Sequence, residues 1–348
     1  MKYRHGCHLL TLSCAFSTTL HAAVATEPIA LTPSTIARSA TVEEARRLLT
    51  TRDDFVKQLS PFDRAARLKS AKPVTEKQLL DTIADQVRPF EEDEWQAVEE
   101  ALRWNAEQLK RYDVPLPKEV LLIKVTGKVC AGAAYTRSNG IVLPQSRIGD
   151  DEKTLRKLIA HELFHVISRH DRELRNQLYA IVGFKPIDPP KLPEWLAARK
   201  LTNPDAPGMD CYATLADGDR EIDVMPVLYS PTSEYDERRG GNFFRYMNFA
   251  LMQIEREKNT AKVVTNDEGR PKFFSPRELP DYFKKIGRNT QYIIHPEEVL
   301  ADNFTFMFDG RKELPDQRIV TAMEKVLSKD RESKRQDAEA ISPTSARG

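Results

Sequence analysis

The stretch LIAHELFHVI, residues 158–167, constrains the fold more than any other part of the chain. Its apolar residues surround the titratable side chains of His161, Glu162 and His165, so a helix through it is apolar on nearly every side. We therefore expect this helix to be buried. Two imidazoles and a carboxylate are costly to bury without partners, and a bound ion would make their burial tolerable.

The spacing of these polar residues suits a zinc ion. His161 and His165 are four residues apart, so on a helix both rings project from one face and can bind one ion. A third protein ligand and a water would complete a tetrahedron, and Glu162 would take a proton from that water. The sequence thus predicts one Zn²⁺ per chain with Glu162 as the catalytic base. The alternative is a pair of packed core histidines.

This apolar-flanked His-Glu-x-x-His helix resembles that of the zincin metallopeptidases. The resemblance covers the motif, the strands before it and one helix after it, well under half of the chain. It implies an α+β, zincin-like catalytic domain with a small mixed sheet, an active-site helix and a ligand helix. It also implies that a sheet edge strand pairs with the substrate backbone, for which GIVLP (140–144) and AAYTR (133–137) are candidates.

A second stretch, HPEEVLADNFTFMF (295–308), offers further ligands. Pro296 suits the first position of a helix. Glu298 and Asp302 share one helix face, whereas Glu297 lies about 100° away. The remaining residues are mostly apolar, so Glu298 and Asp302 should be inward carboxylates that need a partner. The alternative is that Glu297 and Glu298 only favour a helix N-terminus through its dipole.

This Glu-x-x-x-Asp helix resembles the ligand helix of the gluzincins, as in thermolysin-like enzymes. The resemblance implies that Glu298 is the third zinc ligand. It also implies that Asp302 accepts a hydrogen bond from His161 and fixes its tautomer. The chain departs from thermolysin in the much longer stretch between His165 and Glu298.

Asp171 is the alternative third metal ligand, because it lies ten residues after His161, where metzincin-like enzymes carry one. Those enzymes turn sharply at a glycine after the helix, and Ser168 stands at that position here. Asp171 also has a plain structural role, as the N-cap of a helix that starts at Arg172. The neighbouring His170 is a further alternative.

Zincins usually add a tyrosine, histidine or arginine that stabilises the oxyanion of the reaction. Tyr292 and His295 lie near the proposed ligand helix, but closeness in sequence assigns neither of them. We expect a surface or packing role for both.

Residues 26–115 are predicted to form an all-helical N-terminal region, because apolar residues recur there at three- and four-residue spacing. Strands at 119–125 and 140–144 then begin a zincin-like domain over residues 116–328. The charged segment 329–348 is predicted to be disordered. Within the catalytic domain we expect helices at about 151–169, 171–181, 276–286 and 296–308, and a hairpin that turns at Asp217 and Gly218.

Residues 1–25 have the pattern of a secretory signal peptide. Lys2 and Arg4 precede an apolar, acid-free run, and the small residues at its end fit cleavage after Ala25. Cys14 raises the alternative of a lipoprotein anchor, although Thr11 stands where such a signal has leucine. We therefore expect an exported protein, periplasmic or secreted, without a membrane span in the mature chain.

Removal of residues 1–25 leaves two cysteines, Cys130 and Cys211. In an oxidising compartment these two residues are a candidate disulfide. Two buried thiols are the alternative, because sequence does not fix the distance between them.

These features predict an exported zinc metallopeptidase, a metal-dependent hydrolase that acts on a peptide or protein substrate. The 53 lysines and arginines balance 52 aspartates and glutamates, which argues against a nucleic-acid partner. The alternative function is a catalytically inactive zinc-binding or peptide-binding module on the same fold. A third is a structural helical protein with an accidental motif.

Overall fold

The computed structural model describes residues 27–328. The predicted signal peptide, with Cys14, and the predicted disordered segment at 329–348 lie outside the described residues. Those described form an α+β fold with two sheets and the helices packed on them. No helix within 27–328 is long and apolar enough to cross a membrane.

The first sheet is mixed and follows the order β1-β2-β4-β6-β5, with β3 paired to β4. Its strands are β1 (Ile29–Thr32), β2 (Thr35–Ser39), β3 (Val87–Arg88), β4 (Glu119–Val125), β5 (Tyr135–Arg137) and β6 (Gly140–Pro144). The predicted strands at 119–125 and 140–144 are confirmed. GIVLP forms β6, which pairs with strands on both sides, so its expected edge position is wrong. On this side the sheet ends at β5, within AAYTR, and on the other side it ends at β1.

The second sheet is antiparallel and follows the order β12-β11-β10-β9-β7, with β8 on β10 and β13 on β11. The predicted hairpin at Asp217 and Gly218 is confirmed as β9 and β10. The strands are β7 (Phe184–Pro186), β8 (Lys200–Leu201), β9 (Cys211–Asp217), β10 (Arg220–Tyr229), β11 (Asn248–Glu257), β12 (Thr260–Val263) and β13 (Phe273–Phe274).

The helices fall into an N-terminal set before β4 and a second set after β6. The first set is α1 (Val42–Thr50), α2 (Asp54–Gln58), α3 (Pro61–Arg67), α4 (Glu76–Gln86) and α5 (Glu92–Leu109). The second set is α6 (Gln145–Ile148), α7 (Glu152–His170), α8 (Arg172–Ile181), α9 (Glu194–Ala197), α10 (Asp281–Ile286), α11 (Pro296–Phe308) and α12 (Gln317–Val326), with a 3₁₀ turn at Phe243–Tyr246.

The expected all-helical region at 26–115 is wrong at its beginning, and wrong again at Val87–Arg88, which form β3. Residues 29–39 form the hairpin β1 and β2, and β2 pairs in parallel with β4. Their side chains alternate between buried and exposed, which is the period of a strand. The N-terminal residues therefore contribute strands to the same sheet as β5 and β6.

The predicted helix at 276–286 is shorter than expected, because α10 begins only at Asp281. A proline disfavours helical geometry in the residue before it, and Pro280 stands directly before this helix. The segment ahead of it forms a turn in which the Glu278 N–H donates to the Ser275 carbonyl oxygen at 3.0 Å.

Cys130 and Cys211 are both free and buried, so the candidate disulfide between them is not formed. Their surroundings explain this. Cys130 belongs to the apolar cluster between the N-terminal helices and the first sheet, where its Sγ lies 3.3 Å from Arg67 Nη1. Cys211 belongs to the main core, and its Sγ lies 3.6 Å from His295 Nε2.

Candidate metal centre

The site is built on two helices, α7 and α11, that pack against each other in the main core. Asp151 caps α7 by accepting from the Thr154 N–H, and α11 starts at Pro296, the expected first helical position. The buried face of α7 is wide, as its apolar sequence predicts, and His161 is the site histidine that reaches solvent, with 15 % of its side chain exposed.

His161 is held at both ring nitrogens by α11. Its Nδ1 lies 3.0 Å from Asp302 Oδ1, and its Nε2 lies 3.1 Å from Glu298 Oε2. The other oxygen of Asp302 accepts a hydrogen bond from the Thr290 hydroxyl. Asp302 therefore orients the ring so that Nε2 faces Glu298, in the arrangement that the gluzincin resemblance implies.

His165 has its own carboxylate, Glu297, which the sequence did not assign to the site. His165 Nδ1 lies 2.9 Å from Glu297 Oε1. The second oxygen of Glu297 accepts from the Ser168 hydroxyl at 2.7 Å and from the Tyr179 hydroxyl at 2.6 Å. Glu297 and Asp302 thus orient one imidazole each, which leaves both Nε2 atoms directed at Glu298.

The geometry of His161, His165 and Glu298 fits a metal ion. One ligand atom from each lies within 4.8 Å of the others, and Glu298 Oε2 is 3.1 and 3.6 Å from the two Nε2 atoms. Ligand atoms at about 2.0–2.1 Å from one tetrahedral zinc are about 3.4 Å apart. His165 Nε2 and Glu162 Oε2 are buried and have no hydrogen-bond partner among the described residues. Both are therefore open to a ligand.

The buried ionisable groups of the site shift one another's pKa values. Burial by itself would lower the pKa of His161, but the hydrogen bonds to Asp302 and Glu298 outweigh it and raise the pKa to about 10. Burial would raise the pKa of Glu298, yet His165 and His161 hold it well below its usual range. Burial, with Asp205 adding to it, raises the pKa of Glu162 above its usual range. A divalent cation would compete with these protons.

The alternative ligand Asp171 has another role. Its carboxylate accepts from the N–H groups of Glu173 and Leu174 at 3.0 and 2.9 Å, so it caps α8. Two groups of side chains among residues 27–328 have ligand atoms close enough to share an ion, and Asp171 belongs to neither of them. They are His161, His165 and Glu298, and Glu162, His165 and Asp205. His170, the other alternative, is exposed at the end of α7.

An open cleft of about 420 Å³ reaches the site and is lined by His161, Glu162 and Glu298. Tyr292 also lines it and stacks on His161, with ring centroids 6.2 Å apart. Desolvation and the surrounding carboxylates, Glu298 first, raise the pKa of Tyr292, so its phenol is protonated at neutral pH. His295 is instead buried as the N-cap of α11 and accepts from the Glu297 N–H.

The loop after β8 brings two further residues to the site that sequence reasoning missed. Asn203 donates a hydrogen bond to Glu298 Oε1. Asp205 lies with Glu162 and His165 in the second group of ligand-type side chains and accepts from Thr136 N at 2.6 Å. Neither residue stands in a helical or strand pattern, so the sequence carried no signal for them.

Together the fold and site define an α+β protein in which two histidines of one helix and a glutamate of another can hold a metal ion. The family model described as the eCIS core domain matches residues 127–173, a segment with β5, β6 and α7 that includes His161, Glu162 and His165. The chain is similar to that family over this segment. No curated protein and no solved structure matched the chain.

Proposed function

We propose that the protein is an exported zinc-dependent metallopeptidase of the gluzincin type. The convergence of His161, His165 and Glu298 carries the proposal, with Glu162 in the same cleft. Two imidazole nitrogens and one carboxylate oxygen are a donor set typical of catalytic zinc sites, which keep a position for water. Export rests on the signal-peptide pattern of residues 1–25.

The residues around the donor set have complementary roles in this proposal. A zinc ion held by His161, His165 and Glu298 would lower the pKa of a bound water toward about 7. Glu162, whose Oε2 has no hydrogen-bond partner in the described part of the chain, would be the group that accepts a proton from the attacking water and returns it to the leaving amine. Tyr292 is placed to donate a hydrogen bond to the scissile carbonyl oxygen as negative charge develops on it.

A peptide substrate would lie along the edge of the first sheet. The outward N–H of Thr136 in β5 is already bound by Asp205. The residues before β5, Ala133 and Ala134, line the cleft beside His161 and Glu162. We therefore place the scissile bond next to these two alanines, with an extended peptide as the substrate class.

The metal content of the purified protein tests this proposal first. We expect about one equivalent of zinc per chain, because the three donors are positioned before the ion binds. His161→Ala should lose the metal. His170→Ala, at an exposed histidine of the same helix, is the matched control and should keep it. Zinc below about half an equivalent in the wild type, or retained by His161→Ala, would contradict the proposal.

Cleavage of a peptide library separates the enzyme from the inactive module. A chelator should abolish cleavage, and added zinc should restore it. A protein that binds one equivalent of zinc and cleaves no peptide would instead be the zinc-binding or peptide-binding module.

Asp302→Asn is expected to weaken zinc binding by about 10- to 100-fold, because the imidazole of His161 loses the carboxylate that fixes it. Competition with a chromophoric chelator measures the affinity. Asp309→Asn is the control. Asp309 is the C-cap of the same helix, and its carboxylate forms an ion pair with Lys157 at 2.9 Å instead of contacting a donor. Equal affinities of the two variants would remove Asp302 from the metal site.

A further inference from the structure

The two oxygens of Glu298 have different surroundings. Oε2 faces the Nε2 atoms of His161 and His165. Oε1 accepts a hydrogen bond from the side-chain amide of Asn203. The two oxygens of an ionised carboxylate are chemically equivalent. In Glu298 the hydrogen bond from the Asn203 amide to Oε1 distinguishes that oxygen from Oε2.

We infer that Asn203 is a positioning residue that leaves Glu298 a single oxygen for the ion. The inference rests on the proposed function, since it concerns the same metal site. A carboxylate can bind a metal through one or both oxygens, and a hydrogen bond to one of them favours the first mode. With only one oxygen of Glu298 committed to the ion, the coordination number stays low and a position is left for water.

The orientation of the Asn203 amide is fixed within its own loop. Its Oδ1 accepts from the Asp205 N–H at 3.1 Å, so its Nδ2 is the group left to face Glu298. Arg169 of α7 holds the loop by donating to the carbonyl oxygens of Pro204 and Asp205 at 3.2 and 3.3 Å. The amide is therefore a prearranged donor.

The other end of this loop is held by α3, which links this N-terminal helix to the metal site. In α3, Asp63 and Arg67 form a fully buried ion pair at 2.8 Å. Asp63 Oδ2 accepts from the Thr202 N–H at 2.8 Å, and Arg67 Nη2 donates to the Thr202 carbonyl oxygen at 2.7 Å. Asn203 follows directly, so its backbone is tied to α3 while its side chain reaches Glu298.

Asn203→Ala tests the inference, with Asn289→Ala as the matched control. Asn289 is also part-buried and donates to Asn303 Oδ1 at 2.7 Å, but it does not touch Glu298. We expect Asn203→Ala to weaken zinc binding by about tenfold or more. Loaded with Co²⁺, it should show weaker visible absorption than the wild type, because a second Glu298 oxygen raises the coordination number. Asn289→Ala should match the wild type in both measurements.

Asn203→Ser distinguishes the two hydrogen bonds of Asn203, the one that it donates to Glu298 and the one that it accepts from the Asp205 N–H. Serine keeps an acceptor for the Asp205 N–H but is too short to reach Glu298, so it should reproduce the Ala result. Zinc affinity within twofold of the wild type, with an unchanged Co²⁺ spectrum in both variants, would overturn this inference alone. Failure of the wild type to bind metal would overturn the proposed function together with it.

Discussion

Replacing the proposed base, Glu162→Gln, is expected to leave the metal bound and to slow peptide hydrolysis by about 10²- to 10⁴-fold. Glutamine has nearly the shape of glutamate, so the α7 helix and the donors His161 and His165 should keep their positions. Its amide cannot take a proton at neutral pH, so the water loses its base. Cleavage rate and bound zinc are measured on the same preparation.

The stability of the variant provides a second readout. Burial raises the pKa of the Glu162 carboxyl above its unfolded value of about 4.5, so the metal-free folded state keeps a proton that the unfolded chain releases as the pH rises. This difference lowers the stability of the folded state at neutral pH. Glutamine is neutral and removes that cost. Metal-free Glu162→Gln should therefore unfold at a temperature no lower than the metal-free wild type at neutral pH.

Glu152→Gln is the control for this experiment, because Glu152 is an exposed residue in the first turn of the same helix. It should cleave at the rate of the wild type. If Glu162→Gln keeps its zinc and also cleaves at that rate, Glu162 is not the base and the mechanism is wrong.

The parts of the fold that the sequence predicted are those with a strong local pattern. The strands β4 and β6 and the helix α11 have the predicted bounds, and α7 is shifted by one residue. In each, a run of buried apolar residues is bounded by a cap, a proline or a turn. The spacing of His161, His165 and Glu298 placed all three on buried helix faces, and the gluzincin resemblance implied that Glu298 joins the two histidines as a ligand.

The site residues that the sequence did not reveal reach the site through contacts between elements that are distant in sequence. Glu297 lies about 100° from Glu298 on α11, but α7 packs so close that both carboxylates reach it. Asn203 and Asp205 stand in a loop whose course is set by α3 and Arg169. Nothing in their local sequence encodes those contacts, so only the assembled fold brings them to the site.

The second large effect is expected from replacing the proposed third ligand, Glu298. Glu298→Ala should weaken zinc binding by more than about 100-fold, because it removes a direct donor, whose loss should exceed that of an outer partner. It also leaves the Nε2 atoms of His161 and His165 without the negative charge beside them. Zinc affinity is measured by competition on folded, metal-free protein.

Asp171→Ala should do the reverse, because Asp171 caps α8 and lies outside the donor set. We expect zinc affinity within twofold of the wild type and a loss of about 0.5–2 kcal/mol in the free energy of unfolding, the usual cost of removing such a cap. The two variants thus exchange effects: one loses metal, the other stability. If Asp171→Ala loses the metal and Glu298→Ala keeps it, Asp171 is the third ligand. The site would then have the metzincin-like arrangement.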